Sequence, residues 1–321
     1  MKKTLLTICL VWMCFSLSAQ KIIDLSGKWS FSIDRQDNGE KEKWFSHTLN
    51  DFINLPGSMP EKLKGDEVTA KTQWTGSLYD SSYYYNPYME KYRKEGNIKF
   101  PFFLTPDKHY VGAAWYQKEV NIPADWKGER ILLFLERPHI ETTVWVNGQK
   151  TGMQNSLCVP HQYDITRYVR PGKCTITIRV DNRIKEINVG PDSHSITDQT
   201  QGNWNGIVGR ICLQTTPKTY FDDIQIYPEP EQKLARVKVV IKGTGTAKVK
   251  LSAESFNTDK KHIVPAIQQE IKLNKGVTET EMVLPMGNDM LLWDEFHPAL
   301  YKLKAEVTNG KKTEIKEIQF G

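Results

Sequence analysis

The side chains best suited to chemistry lie close together between residues 192 and 206. Asp198, Gln199, Asn203 and Trp204 place a carboxylate, two amides and an indole ring within seven residues. A polyhydroxylated ligand needs such a set, because carboxylates and amides bind hydroxyl groups and an aromatic ring packs on an apolar sugar face. The same residues also suit a polar loop whose Asp and Asn cap turns and whose Trp204 closes a sheet edge. On these residues alone, both interpretations stay open.

Other kinds of chemical site are not indicated by residue spacing. The seven histidines include no i, i+2 or i, i+4 pair, and the cysteines have no paired spacing, so we expect no structural zinc. Residues 192–198 offer oxygen ligands without the regular spacing of a calcium loop. Gly243-Thr-Gly245 lacks the lysine and the strand-to-helix context of a phosphate loop, and it predicts a hairpin turn. We therefore expect no metal and no cofactor.

The amino terminus predicts export. Two lysines precede an apolar run over residues 5–17 that is too short to span a bilayer, and small residues follow it. We predict a signal peptide over residues 1–19, with cleavage after Ser18 or Ala19. The processed protein is expected in the periplasm or outside the cell.

Charge and cysteine content limit the partners further. The net charge is +5 with acidic and basic residues interspersed, which argues against nucleic acid. No later apolar run has membrane length, so no membrane partner is expected. Three cysteines remain after processing, Cys158, Cys174 and Cys212. Three free thiols are the favoured interpretation, and one disulfide among them is the alternative.

Short alternating runs predict an all-β chain. Apolar and polar residues alternate along residues 29–33, 131–135 and 176–180, as in strands with one buried face. Asn147-Gly148 follows such a run and is the strongest short hairpin signal. Strands at this spacing predict a jelly-roll sandwich.

A long aromatic segment interrupts the first sandwich over residues 69–110. It predicts a packed loop, with ring stacking on a ligand as the alternative. Its aromatic residues are Trp74, Tyr79, Tyr83, Tyr84, Tyr85, Tyr88, Tyr92, Phe100, Phe102 and Phe103.

A boundary near residues 217–220 divides the chain, because the composition then becomes lysine-rich and the strands more uniform. About seven short strands follow, as in an immunoglobulin-like sandwich without its disulfide. The predicted domains are thus a jelly roll over residues 20–218 and an immunoglobulin-like domain over residues 219–321.

Motifs in a fixed order resemble the amino-terminal half of family-2 glycoside hydrolases, the group that contains bacterial β-galactosidases and β-glucuronidases. The motifs of the first domain are Asp24-Leu-Ser-Gly-Lys-Trp29, Leu55-Pro-Gly-Ser58, Ala114-Trp-Tyr-Gln-Lys118, Val144-Trp-Val-Asn-Gly148, Asp164-Ile-Thr166 and Gly202-Asn-Trp-Asn-Gly-Ile-Val-Gly209. Leu292-Trp293 before His297-Pro298-Ala-Leu300-Tyr301 resembles the second domain. The signal end and the aromatic loop look like versions from Bacteroidetes.

The resemblance implies a sugar-binding, galactose-binding-like jelly roll, an immunoglobulin-like domain and a following (β/α)8 barrel with two catalytic glutamates about 5 Å apart. The barrel is absent here, and no Asn-Glu dipeptide, the family's acid/base signature, occurs in the chain. No catalytic residue is therefore assigned. The resemblance implies substrate-binding roles for Asp198, Gln199, Asn203, Trp204 and Asn205. Thr200 stands where the β-galactosidases have a second acidic residue, which argues against galactose as the sugar.

Three functions follow from these patterns. The first is the non-catalytic amino-terminal region of an exported β-glycosidase, which would position a β-linked glycan, support the barrel and be inactive alone. The second is a free-standing carbohydrate-binding protein. The third is a scaffold that packs against a partner protein.

Overall fold

The computed structural model describes residues 21–76, 81–102, 104–185, 193–194 and 196–321. Within them the chain forms two compact units, which we call the jelly-roll unit (Lys21–Thr215) and the immunoglobulin-like unit (Thr216–Gly321). Antiparallel strands build both units, so the all-β prediction is confirmed. The predicted signal peptide lies outside the described residues, as do Tyr79, Phe103 and Asp192.

The jelly-roll unit contains thirteen strands in its described residues. They are β1 (Ile22–Asp24), β2 (Gly27–Asp34), β3 (Asp51–Leu55), β4 (Gly57–Ser58), β5 (Asp66–Glu67), β6 (Lys108–His109), β7 (Ala113–Ile122), β8 (Arg130–His139), β9 (Glu141–Val146), β10 (Gln149–Asn155), β11 (His161–Asp164), β12 (Gly172–Asp181) and β13 (Gly206–Thr216). One sheet has the order β1-β13-β8-β11 with β4 beside β13, and a six-stranded sheet has the order β10-β9-β12-β7-β2-β3. Strands β5 and β6 form a small separate pair.

The central strands of the six-stranded sheet are buried on both faces. Tyr116 points into the main core between the two sheets, whereas Trp115 points to the opposite face. There Trp115 packs on Trp145, with ring centroids 5.0 Å apart, beneath Trp44 and Phe45. Successive side chains of a strand alternate between faces, so one strand serves both clusters. The prediction that Trp115 and Trp145 serve packing is confirmed.

The predicted hairpin joins β9 to β10. Asn147 has φ 50° and Gly148 has φ 75°, so both central residues are left-handed. A type I′ turn requires this backbone, and Asn-Gly adopts it at low cost. The register Val146↔Gln149 confirms a two-residue loop.

The helices in the described residues are few and short. They comprise α1 (Ser82–Tyr85) and the 3-10 helices Trp44–Ser46, Pro87–Tyr92, Ala124–Trp126 and Pro230–Gln232. Among the described residues, no helix has both the length and the apolar character needed to cross a membrane.

The immunoglobulin-like unit has five continuous strands where seven short ones were predicted. They are β14 (Tyr220–Glu229), β15 (Leu234–Phe256), β16 (Ile263–Pro285), β17 (Leu300–Asn309) and β18 (Lys312–Phe320). Strand β15 pairs with β14 along its first half and with β17 along its second half. Strands β15 and β16 thus each supply two predicted strands.

The hairpin turn predicted at Gly243-Thr-Gly245 is wrong, because these residues lie inside β15. The register with β16 shifts between Gly243 and Gly245, which marks a β-bulge. A Cβ at Gly243 would lie 2.6 Å from Thr219 Oγ1, and Gly245 has φ 85°. Glycine is therefore needed for close packing at the first position and for the left-handed backbone at the second.

The cysteine prediction holds in the structure. Cys158, Cys174 and Cys212 are all free thiols, with Cys158 exposed and the other two buried. Burial raises the pKa of the Cys174 thiol to about 11. The buried thiols therefore serve as small apolar groups in strands.

Candidate functional site

The loop that joins β12 to β13 carries all five predicted binding residues. Within this loop, residues 193–194 and 196–205 fold into overlapping turns. The carbonyl of Thr197 accepts hydrogen bonds from the amides of Thr200, Gln201 and Gly202 at 3.1–3.3 Å. These turns bring Asp198 and Asn203 together, and we call the stretch 193–205 the polar loop.

Asp198 is the hydrogen-bonding centre of the polar loop. Its carboxylate accepts from the amide of Asn203 at 2.6 Å, from the amide of Thr75 at 2.7 Å and from the His109 Nε2 at 3.2 Å. The side chain is almost fully buried, with 3% of the residue exposed. A carboxylate offers about four acceptor positions, and the described residues fill three of them.

Asn205 holds the end of the polar loop to the sandwich. Its Nδ2 donates to the carbonyls of Gly112 and Val180, both at 2.9 Å, and its Oδ1 accepts from the Tyr116 hydroxyl at 2.8 Å. The residue is fully buried. The structure therefore places Asn205 beneath the site as an anchor for the loop backbone.

Asn203 and Gln199 keep buried oxygen atoms without partners. Asn203 Nδ2 donates to Thr75 Oγ1 at 2.9 Å and to the Asn182 carbonyl at 3.1 Å. Its Oδ1 and the Oε1 of Gln199 are shielded and accept no hydrogen bond from the residues that the structure describes. Buried acceptors are normally paired, so these two atoms mark an incomplete polar environment.

Trp204 is stacked on His139, with ring centroids 4.6 Å apart and planes inclined by 20°. His139 Nδ1–H also donates to the Trp204 carbonyl at 2.7 Å. Burial lowers the pKa of His139, although that hydrogen bond and the charge of Asp198 oppose the change. Trp204 is half-buried, and its stacking on His139 occupies one face of the indole ring.

Buried ion pairs fix the end of β12, from which the polar loop departs. Asp181 is fully buried and contacts Arg179 at 3.0 Å, Arg183 at 2.5 Å and Lys185 at 2.8 Å. Burial alone would raise the pKa of Asp181, but the Arg183 and Lys185 hydrogen bonds and the Arg179 charge hold it well below its ordinary value. The neighbouring Asn182 bonds both the amide of Gly112 and the carbonyl of Tyr110.

The aromatic segment divides into buried and exposed rings. Tyr83 and Phe100 are buried, and Trp74 meets Phe100 and Phe102 edge-on at 4.8 and 5.0 Å. The predicted packed loop is therefore present in this part. Tyr84, Tyr85 and Tyr88 are instead exposed, although the Tyr84 ring still meets the buried Tyr83 ring edge-on at 5.2 Å.

Sequence reasoning missed two residues of this site, Thr75 and His109. Both bond to Asp198, across 123 and 89 positions of the chain. Neither stands in a spacing that indicates a role. His109 directly follows the charged residues Asp107 and Lys108, so its sequence surroundings gave no signal either.

The arrangement suits binding rather than acid–base chemistry. Asp198 is the one carboxylate in the described part of the polar loop, whereas glycoside hydrolysis uses a pair of carboxyl groups. Three N–H donors already bond to it. Among the described residues no group of three His, Cys, Asp or Glu side chains could hold a metal ion.

An apolar groove lies at one end of the immunoglobulin-like unit. It has a volume of about 500 Å³ and is lined by Met286, Leu291, Trp293 and Phe320, among others. Leu292, Trp293 and Phe296 nearby in the chain are each more than half exposed. An exposed apolar surface of this kind is typical of a contact surface.

The chain thus consists of two β-sandwich units, and the first of them carries a candidate ligand-binding loop. Residues 22–217 match the family model described as "Glycosyl hydrolases family 2, sugar binding domain". Residues 219–321 match the model described as "Glycosyl hydrolases family 2". The chain belongs to glycosyl hydrolase family 2, and the resemblance read from the motifs is confirmed.

Individual relatives are β-glucuronidases and a β-galactosidase. The human β-glucuronidase is 24% identical over 319 residues, which cover 89% of this chain and 41% of the relative. That of Paenibacillus borealis is also 24% identical and covers 94% and 45%. The β-galactosidase large subunit of Lactobacillus acidophilus is 22% identical and covers 92% and 45%. The chain thus spans less than half the length of these relatives.

Solved structures share the fold. The β-glucuronidase of Ruminococcus gnavus superposes with a TM-score of 0.60 at 18% identity, over 95% of this chain and 45% of the other. One of its structures contains D-glucuronic acid. The β-glucuronidase of an uncultured Clostridium gives a TM-score of 0.59 at 20% identity, over 94% and 44%.

Proposed function

We propose that this chain is the non-catalytic amino-terminal region of an exported family-2 β-glycosidase, in which the polar loop positions the sugar. The observation that carries the proposal is the state of Asp198. Three N–H donors among the described residues hold this buried carboxylate in place, one fewer than the roughly four bonds that a carboxylate can accept. Neighbouring oxygens of Gln199 and Asn203 also lack partners in the described part of the chain. A sugar hydroxyl, which both donates and accepts, satisfies such groups.

The apolar groove supports the second half of the proposal, that the chain works with a further polypeptide. The relatives are more than twice as long as the part that matches, so they contain other segments. The groove offers a surface that another polypeptide can cover. In this proposal the partner is a (β/α)8 barrel that supplies the catalytic carboxyl groups.

Sugar binding is tested by titrating the chain with methyl β-D-glucuronide and methyl β-D-galactoside and following amide signals by NMR. We expect millimolar binding, about −4 kcal/mol, because one loop gives few contacts. Asp198→Asn should weaken it at least tenfold, since the amide cannot accept all three N–H bonds. Asp125→Asn, at an exposed position of the same unit, is the matched control. No movement of the Asn203 amide with either sugar contradicts the proposal.

Catalysis is tested on nitrophenyl β-D-glucuronide and β-D-galactoside. We expect no turnover from the chain alone. Hydrolysis that Asp198→Asn abolishes would contradict the non-catalytic assignment.

Export is tested by sequencing the amino terminus of the protein secreted by a bacterial host. We expect it to begin at Ala19 or Gln20, with the product outside the cytoplasm. An intact Met1 on soluble cytoplasmic protein would contradict this part of the proposal.

A free-standing carbohydrate-binding protein is the second candidate. The bonds that organise the polar loop all come from within the jelly-roll unit, so the loop is formed without another polypeptide. Affinity for an oligosaccharide at least tenfold above that for the monosaccharides, in a monomeric chain, would favour this candidate.

A further inference from the structure

The aromatic segment is joined to the polar loop through Thr75. The Thr75 amide donates to Asp198 Oδ2 at 2.7 Å, and its carbonyl accepts from the Asp198 amide at 3.0 Å. Its hydroxyl accepts from Asn203 Nδ2 at 2.9 Å. All three polar groups of one residue are therefore directed at the polar loop.

His109, at the other end of the same segment, contacts the same carboxylate oxygen. Its Nε2 lies 3.2 Å from Asp198 Oδ2, and 6% of the residue is exposed. Its ring lies 4.6 Å from that of Trp74, and its backbone pairs with Asp66. The imidazole is thus held from two sides while it meets Asp198.

The two contacts fix the orientation of the Asp198 carboxylate. Thr75 and His109 both meet Oδ2, while the Asn203 amide meets Oδ1. Each carboxylate oxygen has two lone-pair positions. The position left open is therefore on Oδ1, the oxygen that belongs to the polar loop alone.

We propose that Thr75 and His109 are positioning residues for a sugar-binding Asp198, so that the aromatic segment determines which group of the ligand the carboxylate accepts. This inference rests on the proposed function. The accepted group is a sugar hydroxyl, because a ligand carboxylate would face a second, buried carboxylate at this point. If the ligand is a uronic acid, its own carboxylate must then bind away from Asp198.

An incomplete hydrogen-bond set supports the same junction. Trp74 Nε1, Gln199 Oε1 and Asn203 Oδ1 are buried and have no hydrogen-bond partner among the described residues. Trp74 adjoins Thr75, Gln199 adjoins Asp198, and Asn203 bonds to both Thr75 and Asp198. Buried polar groups of this kind normally form hydrogen bonds. A ligand hydroxyl supplies both a donor and an acceptor for them, either directly or through a bridging water molecule.

The test is a sugar titration of the 15N-labelled chain in four forms: the natural chain, His109→Ala, His109→Gln and His47→Ala. His47 is an exposed histidine of the same unit that does not contact the polar loop, so it serves as the control. We expect His109→Ala to bind methyl β-D-glucoside about tenfold more weakly, the effect of one strong hydrogen bond. His109→Gln, which keeps an N–H donor, should recover affinity to within about threefold. His47→Ala should bind like the natural chain.

A second readout uses the natural chain alone and does not depend on the folding of a variant. The amides of Thr75 and Asn203 donate to the two oxygens of Asp198, so both signals should move together when sugar binds. A moving Asn203 signal with a stationary Thr75 signal overturns the inference and leaves the proposed function intact. The inference is also overturned, with the proposed function intact, if His109→Ala binds the sugar as tightly as the natural chain or if His109→Gln binds it as weakly as His109→Ala. If neither amide moves with any sugar, the proposed function fails, and the inference fails with it.

Discussion

The two units differ in the kinds of side chain that they bury. The immunoglobulin-like unit has an aliphatic core of residues such as Val237, Val249, Leu251 and Leu303, with Thr219 and Thr278 as its buried polar residues among those described. The jelly-roll unit buries a larger polar set, which includes Asp34, His161, Arg179, Asp181 and Asp198. Buried polar groups need specific partners, whereas aliphatic groups need only volume and shape. The difference teaches that the jelly-roll unit depends on specific polar partners for its fold, whereas the immunoglobulin-like unit depends mainly on apolar packing.

Removal of the buried ion-pair centre should produce the largest effect. Asp181→Ala leaves Arg179 buried beside fewer carboxylates, and we expect a loss of about 3–5 kcal/mol in the jelly-roll unit. The measurement is urea unfolding together with hydrogen exchange of peptides from each unit. Glu281→Ala breaks an exposed pair with Arg236 in the other unit and should leave stability unchanged. Equal effects from both variants would remove the contrast between the units.

Truncation of a core side chain tests how far apolar packing stabilises the immunoglobulin-like unit. Leu251→Ala removes a fully buried side chain from β15, and we expect about 2–4 kcal/mol of destabilisation in the immunoglobulin-like unit. Hydrogen exchange should rise in peptides from β15 and β17. Val277→Ala, at a position that is 45% exposed on β16, is the matched control and should have a small effect. A small loss for Leu251→Ala would show that packing does not dominate this unit.

Acid should destabilise the jelly-roll unit selectively. Burial lowers the pKa values of His139 and His161 in the folded chain. The unfolded chain therefore binds protons first as the pH falls below about 6.5, and the unfolding free energy decreases in that range. His161 is fully buried, and its Nδ1 lies 2.6 Å from the Thr142 hydroxyl oxygen.

Hydrogen exchange at pH 7.5 and pH 5.5 measures this effect. Peptides from β8 and β11 should exchange faster at the lower pH, and those from β15 should change less. Acid destabilisation of equal size in β15 peptides would contradict the prediction.

Thiol labelling should give the smallest effect and the most selective one. Cys158 is exposed and should react with a disulfide reagent in the folded chain. Cys174 and Cys212 are buried with raised pKa values, so they should react only on unfolding. All three lie in the jelly-roll unit, so delayed labelling reports the opening of that unit. The Cys158→Ser variant should lose only the fast phase, and fast labelling of three thiols would contradict the assignment.

The sequence predicted regular elements better than it predicted the site. The Asn147-Gly148 turn and the placement of Trp115 and Trp145 follow from backbone preference and strand alternation, which act over a few residues. Gly243-Thr-Gly245 was misread because glycine serves a bulge as readily as a turn. The roles predicted for Asp198, Gln199, Asn203, Trp204 and Asn205 stay predictions until binding is measured. The structure adds that Asn205 anchors the loop.

By itself the sequence determined the all-β class and the family. The alternation of apolar and polar residues, the turn residues and the order of the motifs are all local features of the sequence. Tertiary structure alone decided how the polar loop is held. Thr75 and His109 reach Asp198 from 123 and 89 positions away, and Asn205 reaches Gly112 from 93. Contacts at such separations depend on the packing of the sandwich and leave no periodic trace in the sequence. The polar character of the loop was visible in advance, whereas the free acceptor position on Asp198 emerged only when the fold brought its partners together.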